Sequence, residues 1–163
     1  MDSRQEWTIA KSRAGGFTLL ELLAAITIVA TISAIAIPIY TQYTERSFRT
    51  IGQSDLLSCA QAMERFGAVN FTYAGAADTD DDGAGDADAG TIATDICDPE
   101  SAELDRYDIT VVGDVNTYTL TATPTDEGPM ADDGFMTIDH LGNREWDKDD
   151  NGAIEAGEDD WRE

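Results

Sequence analysis

The sequence predicts an α+β fold, in which one long N-terminal helix carries a small antiparallel sheet of three to four strands. Two patterns predict it. From Phe17 the chain is almost uninterrupted apolar sequence to Ile37, and apolar residues then recur at approximately helical spacing as far as Phe66. From Tyr107 the apolar residues alternate instead, in short runs divided by turn-forming residues. The 163 residues leave room for one domain plus an anchor.

Residues 1–16 read as a leader. Arg4, Lys11 and Arg13 precede the apolar run and orient it with the leader in the cytoplasm, so the remainder is expected in the periplasm or outside. Residues 17–40 form the apolar segment, and about 20 helical residues span a hydrocarbon core. Thr27, Thr31 and Ser33 can bond back to helix carbonyls, and Ala24, Ala25, Ala30, Ala34 and Ala36 let helices approach closely. Pro38 removes one backbone donor and is expected to kink or loosen the helix. One acid, Glu21, lies inside this run. An unpaired carboxylate at membrane depth is costly, so Glu21 needs a partner.

Residues 41–163 form the globular part. The helix continues, now amphipathic, over residues 39–68. Tyr40, Tyr43, Phe48, Ile51, Leu56, Leu57, Cys59, Ala60, Met63 and Phe66 make the apolar stripe, whereas Arg46, Arg49, Asp55, Glu64 and Arg65 are expected in water. Gly67 is the predicted stop. A helix over 17–66 runs about 75 Å at 1.5 Å per residue, more than a domain of this size buries. Met63, Phe66, Phe71 and Tyr73 are expected under the sheet. Residues 75–105 form an Asp/Gly/Ala-rich loop. Tyr107, Ile109 and Val111 alternate, as do Tyr118, Leu120 and Ala122, with a turn at 113–116 between them. A third strand is predicted at 134–139 and a short fourth at 144–146, separated by Gly142-Asn143.

The stretch Gly15-Gly16-Phe17-Thr18-Leu19-Leu20-Glu21 resembles the class III signal of type IV prepilins. The resemblance implies cleavage between Gly16 and Phe17 by a prepilin peptidase, methylation of the Phe17 amine, and pairing of Glu21 with the Phe17 amine of a neighbouring subunit. The attraction between such charges is strong where the dielectric is low. A proline such as Pro38 is common in the family beside a segment that melts on assembly. The run from Leu56 to Phe66, the following Asn70-Phe71-Thr72-Tyr73 and the strand Tyr118–Thr123 are similar to PilE-type pilins. That family implies the type IV pilin fold and an inner-membrane precursor. It also implies a homo-oligomeric extracellular filament built by the pilus assembly machinery through the N-terminal helix, for adhesion or motility. Many PilE-type pilins carry their second cysteine where this chain has Gly134-Phe135. Here the pair is Cys59 on the helix and Cys97 at the end of the acidic loop. They are expected either as a disulfide, which the compartment permits, or as two buried thiols.

The net charge is -23. That balance predicts no direct nucleic-acid partner, since phosphate binding needs a basic patch. It fits a surface solvated in a salty medium or carboxylates that hold divalent cations. In the tail, residues 147–158 match the EF-hand loop pattern: Asp147, Asp149 and Asn151 as side-chain ligands, Gly152 for the turn, Ala153 by its carbonyl, Glu155 directly or through water, and Glu158 as the bidentate closing acid. So many hard oxygen ligands suit Ca²⁺. A second, weaker match begins at Asp78 and includes Asp80, Asp82 and Asp86 but lacks the closing acid, Ala89 standing in its place; Asp88 is near enough to substitute. No catalytic set is legible, the single His140 having no nucleophile in context. The alternatives are a type II secretion pseudopilin and a membrane-anchored calcium-binding adhesin or sensor that never polymerises.

Overall fold

The computed structural model describes residues 16–126, 128–158 and 160–162; the leader residues 1–15 lie outside it. It divides into two units between Thr41 and Gln42. Helix α1, Leu19–Asn70, runs unbroken through Pro38. It also continues past Gly67, the predicted stop, and ends where Phe71 turns into the left-handed region at φ 58°.

In the first unit, every large apolar side chain from Phe17 to Ile39 is at least half exposed. The helix here is long and apolar enough to cross a membrane. Thr27 and Thr31 bond back to the carbonyls of Leu23 and Thr27, both at 2.8 Å, so neither hydroxyl is left unpaired.

The second unit holds a six-stranded sheet in which every neighbouring pair is antiparallel and strands follow in chain order. The strands are β1 (Ala77–Asp78), β2 (Ala89–Ile92), β3 (Tyr107–Gly113), β4 (Tyr118–Pro124), β5 (Met136–Asp139) and β6 (Arg144–Trp146). The last four are the strands predicted from alternation. The first two lie in the segment read as loop, which also holds the short helix α2, Glu100–Glu103. Register sets Val111 against Leu120 and Ile109 against Ala122, so one face of the β3–β4 pair is apolar throughout. That face buries Tyr107, Ile109, Val111, Tyr118, Leu120, Met136 and Ile138 against Leu56, Cys59, Ala60 and Met63 of α1. Burial of this apolar surface is the main stabilising term.

Two expectations fail here. Phe71 is 87% exposed, because its positive φ swings the chain away from the core. The polar face of α1 is exposed at Arg46, Glu64 and Arg65 as expected, but Arg49 and Asp55 are part-buried and paired. Arg49 forks onto Asp133 through Nε and Nη2, and the same carboxylate accepts the Tyr107 hydroxyl. Asp55 accepts the Ser101 N–H at 2.7 Å. Glu64 accepts the hydroxyls of Tyr118 at 3.0 Å and Tyr73 at 3.2 Å. Burial, then the bond to Asp133, pushes the Tyr107 phenol well above its ordinary pKa. Burial and Glu64 do the same to Tyr118.

Candidate functional site

The tail loop begins where β6 ends. Asp147 donates its N–H to the Phe135 carbonyl at 3.0 Å, and its own carbonyl lies so near Gly134 that a Cβ there would come within 1.8 Å of it. Only glycine allows this approach, which seats the first residue of the loop on the chain before β5. The Asp147 carboxylate is fully buried and accepts the N–H groups of Asn151 (3.1 Å) and Gly152 (2.8 Å). Asp150 and Gly152 take positive φ, 52° and 84°, to wrap the backbone round that carboxylate. Asn151 Oδ1 accepts the Ala153 N–H at 2.9 Å. At the far end Glu158, 8% exposed, accepts from the N–H of Lys148 and of Glu155, both at 2.8 Å.

Ligand oxygens of Asp147, Asp149 and Glu158 lie within 4.8 Å of one another. Two of these three carboxylates are buried, and like charges so placed repel strongly unless a cation sits between them. The donor set is all hard oxygen. Asp147, Asp149 and Glu158 of the predicted set are therefore brought together. The Asn151 side chain faces its own loop, and Glu155, which is exposed, stands outside the group of three.

The Asp78 loop repeats the first half of this arrangement. Asp78 accepts from Asp81 N–H and Gly83 N–H, both at 2.8 Å, and Asp82 accepts from Ala84 N–H at 2.8 Å. Asp81 and Gly83 have φ 60° and 90°. Oxygens of Asp78, Asp80 and Asp82 come within 4.8 Å of one another, but none of the three is buried. Asp86 is drawn off by Thr79, accepting its N–H and hydroxyl at 3.1 Å, and Asp88 accepts the Gly75 N–H at 3.0 Å.

Cys59 and Cys97 form a disulfide, with Cα atoms 5.3 Å apart. At the start of α1, Glu21 reaches back to Thr18. Its Oε2 accepts the Thr18 N–H at 3.1 Å, and Thr18 Oγ1 accepts the Glu21 N–H at 3.2 Å. This is a capping box, legible in retrospect from Thr18-x-x-Glu21 ahead of an apolar run. Glu21 thus has a partner three residues away in its own chain, besides the one expected on a neighbouring subunit.

A family model described as type IV minor pilin ComP, DNA uptake sequence receptor, matches residues 38–134. The chain belongs to this minor pilin family. A second model, the prokaryotic N-terminal methylation motif, matches residues 11–37. No solved structure matches the chain closely enough to count as similar. A type IV pilin precursor is thus a structural subunit, made as an inner-membrane precursor, processed by prepilin peptidase and taken up by the pilus assembly machinery. The methylation motif is a signal for that processing and not a catalytic site. The tail loop, 147–158, lies wholly beyond the part of the chain that the minor pilin family covers.

Proposed function

We propose that this minor pilin is cut between Gly16 and Phe17, methylated at Phe17, and built into an extracellular filament for adhesion or motility, and that calcium bound at 147–158 stabilises its outer domain. In the filament Glu21 exchanges its capping contact with Thr18 for the Phe17 amine of a neighbour, and Pro38 marks the segment that gives way on assembly. The neighbour is another copy of this chain or a different pilin. The observation that carries the calcium reading is the juxtaposition of two buried carboxylates, Asp147 and Glu158, at the two ends of a complete twelve-residue loop. The weaker loop offers Asp78, Asp80 and Asp82 as a second position of lower affinity. Asp86 and Asp88 are committed elsewhere.

The test has two arms. Intact mass of sheared filaments is expected to contain a chain starting at methylated Phe17; a chain found only in membranes favours the pseudopilin or the anchored sensor instead. Calorimetry is expected to give calcium heat that the Asp147→Ala, Glu158→Ala double variant lacks. Unchanged heat in that variant sinks the tail assignment.

The family description also names a DNA uptake sequence receptor. We do not extend that role to this chain. The matched span has four arginines, Arg46, Arg49, Arg65 and Arg106, against twenty acids, and Arg49 is already committed to Asp133. Phosphate binding draws on clustered cations. Retention of duplex DNA by the mature chain at low salt overturns this exclusion.

A further inference from the structure

Glu158 closes two things at once. Its carboxylate completes the acidic loop, and its backbone carbonyl accepts the Trp146 N–H at 3.0 Å, on the outermost strand β6. Three residues on, Trp161 Nε1 donates to the Glu145 carbonyl at 3.0 Å. The Arg144 guanidinium lies 5.0 Å over the Trp161 ring, and the Trp161 carbonyl accepts from Gln53 Nε2 of α1 at 3.4 Å. The returning tail thus pairs the Trp146 end of β6, while Arg144 at the other end stays exposed. A bare edge strand is a template for pairing with another chain.

We propose that this pairing is conditional on the ion: calcium in the 147–158 loop holds the tail on β6, and its removal frees the tail and bares the strand edge. The inference rests on the calcium reading above. Without a cation, the buried carboxylates of Asp147 and Glu158 repel each other, while the partners bonded to them among the described residues are the backbone N–H groups of Lys148, Asn151, Gly152 and Glu155. Lys148 directs its ammonium to the Gly157 carbonyl. Asp147 is pinned by Phe135 and by the close approach at Gly134, so Glu158 is the end that yields. As Glu158 moves, its carbonyl leaves Trp146, and the Trp161 anchor is the next to go.

The experiment is hydrogen exchange of the full chain in detergent micelles, in EDTA and in calcium chloride, with calorimetry of calcium binding on the same sample. In EDTA the Trp146 amide is expected to lose protection while the central β3–β4 amides keep theirs. Calcium at a hundred times its dissociation constant is expected to slow Trp146 exchange about a hundredfold, since binding suppresses the open form by that ratio. Glu158→Gln removes the repelling charge and is expected to give a Trp146 rate that no longer responds to calcium. If calcium binds with measurable heat but Trp146 is as protected in EDTA as in calcium, the conditional tail is wrong and the metal site stands. If no heat is seen, the metal site and the conditional tail both fall.

Discussion

The two aspartate loops share a beginning and differ in how they end. Both wrap a first aspartate, Asp78 or Asp147, with N–H groups from the next five residues, and both turn through positive φ at the fourth and sixth positions. The tail loop then supplies Glu158, and burial makes its carboxylates costly to leave without a cation. The Asp78 loop supplies no such acid, and its carboxylates stay in contact with water. It is held instead by protein. Asp95 N–H donates to the Gly83 carbonyl at 3.0 Å and Ala93 N–H to the Ala76 carbonyl at 3.1 Å, and that same turn ends in Cys97, bonded to Cys59 on α1. One loop is tied by a covalent bond, and the other is the one for which calcium is proposed as the tie. The same opening sequence does not by itself decide whether an acidic loop is a metal site.

The largest expected effect breaks the covalent side of this contrast. Replacing Cys59 and Cys97 by Ala removes a crosslink spanning 38 residues, which is worth about 3–4 kcal/mol in the chain-entropy account. Denaturant unfolding of the Gln42–Glu163 unit measures it. Protection of the Asp78 loop should fall further than that of the tail loop. Equal loss in both would mean that the bridge acts only through the unfolded state.

Next in size is the ionic side. Calcium at a hundred times its dissociation constant stabilises a native-only site by about 2.7 kcal/mol. That gain should appear as a rise in melting temperature, vanish in Asp147→Ala with Glu158→Ala, and survive in Asp78→Ala. If Asp78→Ala removes it, the assignments of the two loops are reversed.

Those contrasts were only partly open to a sequence reader. The helix and four strands announce themselves because apolar residues repeat at 3.6 or at 2. The tail loop does so because Asp147, Asp149, Asn151, Gly152, Glu155 and Glu158 stand at the spacing of an EF-hand loop. Strands β1 and β2 do not, since Ala77–Asp78 and Ala89–Ile92 are short and carry no alternation. They exist because β3 offers an edge, with Ala89 set against Val112 and Thr91 against Thr110. The roles of Arg49, Asp55 and Glu64 were hidden for a different reason. Charged residues on a helix read as solvated until the partners Asp133, Ser101 and Tyr118 are seen, and these lie 84, 46 and 54 residues away. Burial of Asp147 and Glu158, which separates the tail loop from its twin, is likewise a property of the fold.

A smaller effect tests the sheet on which both loops depend. The phenols of Tyr107 and Tyr118 are raised in the folded state, by burial first and then by Asp133 and Glu64. The folded protein therefore holds these protons to higher pH than the unfolded chain. Their contribution is whole below about pH 10, the ordinary phenol value, and is lost as pH climbs above it. The slope is at most about 1.4 kcal/mol per pH unit for each phenol. Tyr107→Phe and Tyr118→Phe should each flatten the alkaline fall in melting temperature. Exchange at both loops should quicken together, because they border the same sheet. A tail loop that opens at lower pH than the Asp78 loop would mean that it is not anchored through β5 and β6 as described.

The smallest effect asks what the Asp78 loop does with its charge. Asp78 is only half-buried, and its carboxylate accepts from Asp80, Asp81 and Gly83. Asp78→Asn keeps one acceptor oxygen and discards the charge. If the carboxylate serves as a local hydrogen-bond acceptor, the cost is about 1 kcal/mol or less and is the same with and without calcium. The corresponding Asp147→Asn should instead cost calcium affinity, because a buried ligand loses its charge there. The pair of denaturation curves, each in EDTA and in calcium, separates an acid used as a brace from an acid used as a ligand. Calcium dependence in Asp78→Asn that matches Asp147→Asn would make the two loops equivalent sites, and the missing closing acid at Ala89 would then count for little.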